Sequence, residues 1–191
     1  MVTREMLALL EELGTTEHRP GRRPLLEHLE GTRAVLARWG TPTEICLAGR
    51  FHSVYGAEGG RARDRDANLS RRADVRALIG ATAEELAYLY AACERRSLFT
   101  NAPGAAALTI NDLFEKRDVP VSETTLRALL EIEAANMVEG PVERINYPDS
   151  LIAEIKRAWE KAHPFVTARA YEELQERFRA IDARRAASPR T

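Results

Sequence analysis

The chain has 191 residues, 45% of them hydrophobic and 30% charged, and its 28 basic and 29 acidic side chains leave a net charge of -1. This length and balance predict one globular domain with a substantial core, and they exclude a largely disordered chain. The near-neutral charge is unlike that of an electrostatic nucleic-acid binder, and no apolar run approaches the roughly 20 residues of a membrane span.

Helical spacing of apolar residues, interrupted by glycine and proline, predicts an all-α fold. Gly14 ends the first predicted helix, and Gly40 and Gly56 end the second and the third. The polar, glycine-rich segment 56–70 has little to bury, so we expect a mobile loop there. The predicted helices cover, in chain order, residues 3–13, 24–39, 41–56, 71–79, 82–95, 122–138, 149–161 and 167–185.

Residues 96–121 form the least helical part of the chain. The segments ALTIND and DVPVS, on either side of LFEKR, are predicted to be extended and to form a small β-hairpin near 106–121. We divide the chain into a helical domain over 1–145, C-terminal helices over 146–187 that pack on it, and a frayed tail over 188–191.

The two cysteines, Cys46 and Cys93, have no neighbouring cysteine or histidine at a metal-binding spacing. Both fall among apolar residues of predicted helices. We therefore interpret them as buried, reduced thiols, with a disulfide between the two helices as the alternative. The charged N-terminus is unlike a signal peptide, and the expected location is the cytoplasm.

Three predicted helices carry polar residues at positions where core residues are expected. His28 lies on the apolar face of the second helix, and His52 and Tyr55 lie on that of the third. Glu133 and Asn136 continue the leucine-rich face of the helix that follows the hairpin. Burying such groups costs about 1–3 kcal/mol each unless they are paired. We therefore expect them to meet one another, a metal or a ligand; the alternative is core histidines bonded to backbone or water.

The segments LLEHLEGTRAVLARWG and AGRFHSVYG resemble the opening of the HD superfamily of helical metal-dependent phosphohydrolases. That family places a His on one helix, a His-Asp pair on the next and an Asp on a later helix. The resemblance implies an HD-domain-like helical bundle and a hydrolase in which His28 and His52 bind a divalent metal. At the two Asp positions this chain has Ser53 and Asn136, and such neutral groups are weak ligands for a hard cation.

A closer likeness is to an uncharacterised bacterial and fungal family of the same helical class. Its members read HLxGT, WG, FHSxYG, IG followed by AE-L, and a late AN segment. This chain has HLEGT, WG, FHSVYG, IGATAEEL and AANMVEG, within about residues 18–140. This likeness implies the fold class and no particular reaction.

Cationic side chains lie in the loops beside the two histidine helices. His18, Arg19 and Arg23 are candidates for substrate binding, together with Ser53 and Asn136, because arginine binds phosphate or carboxylate in a bidentate manner. The alternative is a solvated surface of balanced charge.

We therefore predict an HD-like enzyme that acts on a small polar, anionic metabolite bearing phosphate or carboxylate, through a two-histidine pocket with a degenerate metal site. The catalytic candidates are His28, His52, Tyr55 and Glu133. The two histidines act either as metal ligands or as a general acid/base pair. The competing interpretations are a non-catalytic ligand-binding domain that kept the pocket but lost the metal centre, and a scaffold whose terminal helices form a homodimer. We expect no nucleic-acid or membrane partner.

Overall fold

The structure is a computed structural model that describes residues 3–15, 24–56, 65–140, 142 and 147–187. In these ranges a helical bundle carries one small antiparallel hairpin, which confirms the predicted all-α fold with a β-hairpin. The helices are α1 (Arg4–Glu12), α2 (Leu25–Arg38), α3 (Thr43–Phe51), α4 (Arg65–Ser70), α5 (Arg72–Ile79), α6 (Ala81–Ala92), α7 (Arg95–Leu98), α8 (Glu123–Glu139), α9 (Asp149–Ala162) and α10 (Ala168–Ala187). The strands are β1 (Leu108–Asp112) and β2 (Arg117–Val121), and a short 3₁₀ turn, His163–Phe165, follows α9.

Helix α8 lies at the centre of the bundle and packs against α2, α3, α6 and α10. It begins where the side chain of Ser122 accepts a hydrogen bond from the amide of Thr125, as expected for an N-cap serine. Its leucines are fully buried in a core that extends from Val35 on α2 to Ile181 on α10. The C-terminal helices therefore share one hydrophobic core with the helices that precede them.

Helices α2 and α3 pack closely because Gly49 has no side chain at their contact. A Cβ atom at Gly49 would collide with the side chain of Leu36 and would touch Thr32. The close approach places the first turn of α2 beside the end of α3. Since His28 lies in the former and His52 directly follows the latter, this packing brings the two histidines together.

The hairpin pairs Leu108 with Val121 at one end and Asp112 with Arg117 at the other. The carboxylate of buried Asp112 accepts hydrogen bonds from the amides of Phe114 and Glu115, at 2.8 Å and 2.9 Å, which closes the turn. An isolated bridge between Cys93 and Asp112 joins the hairpin to the end of α6. Both cysteines are buried and free, which confirms the interpretation as reduced thiols.

The third helix is shorter than predicted. It ends at Phe51, and residues 52–55 form a turn before Gly56 at φ 83°. Nδ1 of His52 donates to the carbonyl of Gly49 at 2.6 Å, an acceptor that a longer helix would use for the amide of residue 53. The side chain of His52 thus competes with the backbone and ends the helix.

The segment 56–70 is not a loop throughout, because α4 forms over its last six residues. The side-chain amide of buried Asn68 donates to the carbonyl of Val54 at 2.7 Å and to that of Leu13 at 3.3 Å. It thereby satisfies backbone acceptors left where α1 and the turn after α3 end. The rest of the predicted mobile loop, 57–64, lies outside the described residues. None of the helices in the described ranges is long and apolar enough to cross a membrane.

Candidate functional site

The imidazole rings of His28 and His52 lie against each other. Their centroids are 5.2 Å apart and their planes are inclined at 82°, an edge-to-face arrangement. His28 exposes 24% of its side chain, whereas His52 is only 2% exposed. The pair therefore has one member within reach of solvent and one enclosed in the protein.

His52 is held as a neutral imidazole. Because a carbonyl oxygen can only accept, Nδ1 of His52 must carry the proton that bonds to Gly49, and Nε2 is left as an acceptor. Burial of the ring lowers the pKa of His52 to about 3; the neighbouring His28 and Arg95 act in the same direction, and the Gly49 carbonyl opposes them. His52 is therefore uncharged at neutral pH.

His28 is oriented by a carboxylate from the far end of α8. Nδ1 of His28 lies 2.5 Å from Oε2 of Glu139, whose side chain is only 5% exposed. An ionised carboxylate can only accept, so this contact puts the proton of a neutral His28 on Nδ1. Nε2 of His28 is then the nitrogen that can take up a proton.

A tyrosine backs the buried histidine. The ring of Tyr90 lies edge-on to that of His52, with centroids 5.1 Å apart. The Tyr90 hydroxyl donates to Oε2 of Glu133 at 2.5 Å and accepts from the side-chain amide of Asn136 at 3.1 Å. Burial, assisted by Glu133 and opposed by Arg95, raises the pKa of Tyr90 well above its ordinary value. Tyr90 therefore stays protonated and acts as a donor.

Arg95 closes the cluster on the other side of Tyr90. Its guanidinium lies over the Tyr90 ring, 3.7 Å from the centroid, and its Nε is 3.3 Å from Oε2 of Glu133. Nη1 of Arg95 also donates to the carbonyl of Cys93 at 3.0 Å. Glu133 is thus paired with a cation and a phenol, so its negative charge is compensated inside the fold.

We call this group of side chains the histidine cluster. Its members are His28, His52, Tyr90, Arg95, Glu133, Asn136 and Glu139. Four of the residues singled out in the sequence are therefore brought together by the structure. The other three come from α6, the start of α7 and the end of α8.

Tyr55 is not part of the histidine cluster. Its hydroxyl donates to Oε1 of Glu84 at 3.1 Å, and the same oxygen accepts from Nε of Arg72 at 2.6 Å. The predicted catalytic position for Tyr55 assumed that α3 continues to Gly56. Because the helix ends at Phe51, the helical spacing that would align Tyr55 with His52 is lost.

The remaining predicted residues lie beside or beyond the cluster. Ser53 is buried next to His52 in the chain, and its carbonyl accepts from the amide of Gly56 at 3.2 Å. The predicted substrate-binding residues His18, Arg19 and Arg23 lie outside the described residues.

Sequence reasoning missed Tyr90, Arg95 and Glu139 as members of the cluster. Both Tyr90 and Arg95 lie in the helix predicted over residues 82–95, Arg95 as its last residue. Glu139 has a detectable signal, because it lies three residues after Asn136 and therefore on the same helical face. It also falls in the AANMVEG motif.

The described residues do not form the donor set expected of a divalent metal centre. In these ranges no group of three or more His, Cys, Asp or Glu side chains could hold a metal ion. A catalytic zinc site uses three protein ligands. Besides the two imidazoles, the cluster offers the side-chain amide of Asn136, which donates to Tyr90, and the carboxylate of Glu139, which accepts from His28.

The fold and the cluster define an all-α bundle with a partly buried histidine pair. A family model described as Domain of unknown function (DUF6817) matches residues 9–95. That segment contains His28, His52, Tyr90 and Arg95, while the cluster residues of α8 follow it. Searches against curated proteins and against solved structures found no match to the chain.

Proposed function

We propose that this chain is an enzyme in which His28 transfers a proton to or from a small anionic metabolite. The supporting observation is the pairing of a partly exposed imidazole with a buried, neutral one, at 5.2 Å between centroids. A positioned imidazole that gives or takes a proton contributes roughly 10²–10⁴ to a reaction rate.

In this proposal the other cluster residues form a fixed polar support. Neutral His52 contributes Nε2 as an acceptor beside His28, because its Nδ1 is engaged by Gly49. Tyr90 packs against the His52 ring, with centroids 5.1 Å apart, and Glu133 and Arg95 hold Tyr90 in place through their contacts with it. Such support fixes the orientation of a reacting group before the substrate arrives.

The substrate class rests on charge and on the family resemblance. His28 lies in the first turn of α2, where the helix dipole favours a negative group. The sequence places three further cationic or ionisable residues, His18, Arg19 and Arg23, shortly before that turn. With the resemblance to HD phosphohydrolases, this favours hydrolysis of a phosphate- or carboxylate-bearing metabolite, in the cytoplasm.

A non-catalytic binding domain is the second candidate. The observation that favours it is the compensation of Glu133 by Tyr90 and Arg95, which leaves that carboxylate unsuited to act as a base. In such a protein His28 would hold the anionic ligand and no bond would be broken.

The test is a screen of phosphorylated and carboxylated metabolites against the wild type, His28→Gln and His52→Gln. His163→Gln is the matched control, since His163 is exposed and stacks on Tyr171, with centroids 3.9 Å apart, at the junction of α9 and α10. We expect His28→Gln to remain folded in thermal melts and to lose turnover by about 10²–10⁴-fold, and the control to keep it. Full turnover in His28→Gln would refute the proposal. Ligand binding without turnover in the wild type would establish the binding domain instead.

A further inference from the structure

Gly31 and Glu139 occupy the same small space beside His28. A Cβ atom built at Gly31 would lie 2.6 Å from Cγ of Glu139 and 2.7 Å from its Cδ, and closer still to Oε1. These separations are far below van der Waals contact, so an alanine at position 31 requires the Glu139 side chain to leave its observed position. The side chain of Glu139 therefore occupies the space that the side chain of any residue other than glycine at position 31 would need.

The glycine carries a cost within its helix. Gly31 lies in the interior of α2, Leu25–Arg38, and glycine there is roughly 0.5–1 kcal/mol less favourable than alanine. Its backbone has no positive φ that would require glycine. The reason for glycine at this position is the space that it leaves for Glu139.

His28 and Gly31 are three residues apart and share one face of α2. The carboxylate of Glu139 lies over Gly31 and meets Nδ1 of His28 at 2.5 Å. We propose that Glu139 is a positioning residue that sets the tautomer of His28, and that Gly31 is the gap that admits it. The inference rests on the proposed function, because it assigns the free nitrogen, Nε2, through which His28 reacts.

The chemical consequence is a choice between two neutral forms of imidazole. The hydrogen bond made by one ring nitrogen decides which of the two nitrogens carries the proton. With Glu139 in place, Nδ1 is the donor and Nε2 carries the lone pair. Without it, the proton is free to move to Nε2, and the lone pair then points toward α8 rather than away from it.

The experiment measures the tautomer directly, by long-range proton–nitrogen NMR of ¹⁵N-labelled histidine at a pH where His28 is neutral. We expect Nδ1–H for His28 in the wild type. Gly31→Ala and Glu139→Ala should both shift it toward Nε2–H, whereas Glu139→Gln, which can still accept through its amide oxygen, should retain Nδ1–H. Glu123→Gln is the control, since Glu123 lies on the exposed first turn of α8 and pairs with Arg127.

Turnover of the substrate found in the screen is measured on the same variants. We expect a loss of about 10- to 100-fold in Gly31→Ala, by analogy with residues that orient metal-ligating histidines through hydrogen bonds. An unchanged tautomer in Gly31→Ala and Glu139→Ala would overturn the positioning role. A shifted tautomer with unchanged turnover would support the positioning role of Glu139 but refute the proposed catalytic role of His28. Gly31→Ala leaves both partners intact and favours the helix, so it also serves if Glu139→Ala does not fold.

Discussion

The ring of Tyr90 stands edge-on to that of His52, inclined at 84° with centroids 5.1 Å apart. The same tyrosine gives its hydroxyl hydrogen to Glu133 and accepts from Asn136. One side chain of α6 therefore joins the buried histidine to the polar face of α8.

Tyr90→Phe tests this link. The substitution keeps the ring beside His52 and removes the hydroxyl that donates to Glu133. Because the partly buried carboxylate of Glu133 then lacks this donor, we expect the free energy of unfolding to fall by about 1–3 kcal/mol. Urea denaturation measures the effect. Tyr88→Phe is the control, since its half-buried ring keeps its contact with Arg72, and we expect a change within about 0.5 kcal/mol. Equal effects of the two substitutions would contradict the assigned bond.

The pH dependence of stability should report His52. Its pKa is about 3 in the folded protein and 6.5 is the ordinary value, so between these limits the unfolded chain binds more protons than the folded one. Stability is therefore lost as the pH falls below 6.5, by on the order of 1 kcal/mol per pH unit within that window, and this histidine has no effect above it.

His52→Gln removes that proton difference. The free energy of unfolding is measured by denaturant for the wild type and the variant at several pH values between 7 and 4.5. Subtracting one from the other at each pH cancels the titration of the groups that both proteins share. We expect the wild type to lose its advantage over the variant as the pH falls. A difference that stays constant with pH would show that His52 takes up a proton as readily in the folded state as in the unfolded one.

Glu131 on α8 and Thr167 before α10 form a second, partly buried contact, which does not involve His28 or His52. The carboxylate of Glu131 accepts from the amide of Thr167 at 3.2 Å and from its hydroxyl at 2.7 Å, and that hydroxyl accepts from the amide of Ala170. Glu131→Ala leaves the start of α10 without this acceptor, so we expect a loss of about 1–3 kcal/mol. The exposed Glu123→Ala should change little, and thermal or urea melts that rank the two variants the other way would contradict the capping role.

Metal content follows from the donor set. The HD superfamily has an Asp directly after its second His and another Asp on a later helix, and this chain has Ser53 and Asn136 at those positions. We therefore expect purified protein to contain well below one equivalent of any divalent transition metal after dialysis. Elemental analysis by plasma mass spectrometry checks this. A stoichiometric metal that is lost in His28→Gln would overturn the expectation, and further ligands would then be sought in His18 and in Glu58, which follows the third predicted helix in the sequence.

The fold could be predicted largely from the sequence because helices and hairpins are encoded over short distances. Apolar residues at helical spacing, with Gly40 and Pro24 near the boundaries, located α2 to within a residue or two. Ser122 marked the start of α8, and the segments ALTIND and DVPVS marked the hairpin. Each of these signals lies within a few residues of the structure that it specifies.

The same local signals placed His28, His52, Glu133 and Asn136 on inward faces, and the tertiary structure decided which of them meet. The bond between His28 and Glu139 joins residues 111 positions apart. It depends on how α2 packs on α8. Tyr55 was assigned to the site because a helix was extended over a turn that the side chain of His52 creates. Periodicity describes one element at a time, whereas a site is made by the contacts between elements, and those follow from packing details such as the missing side chain at Gly31.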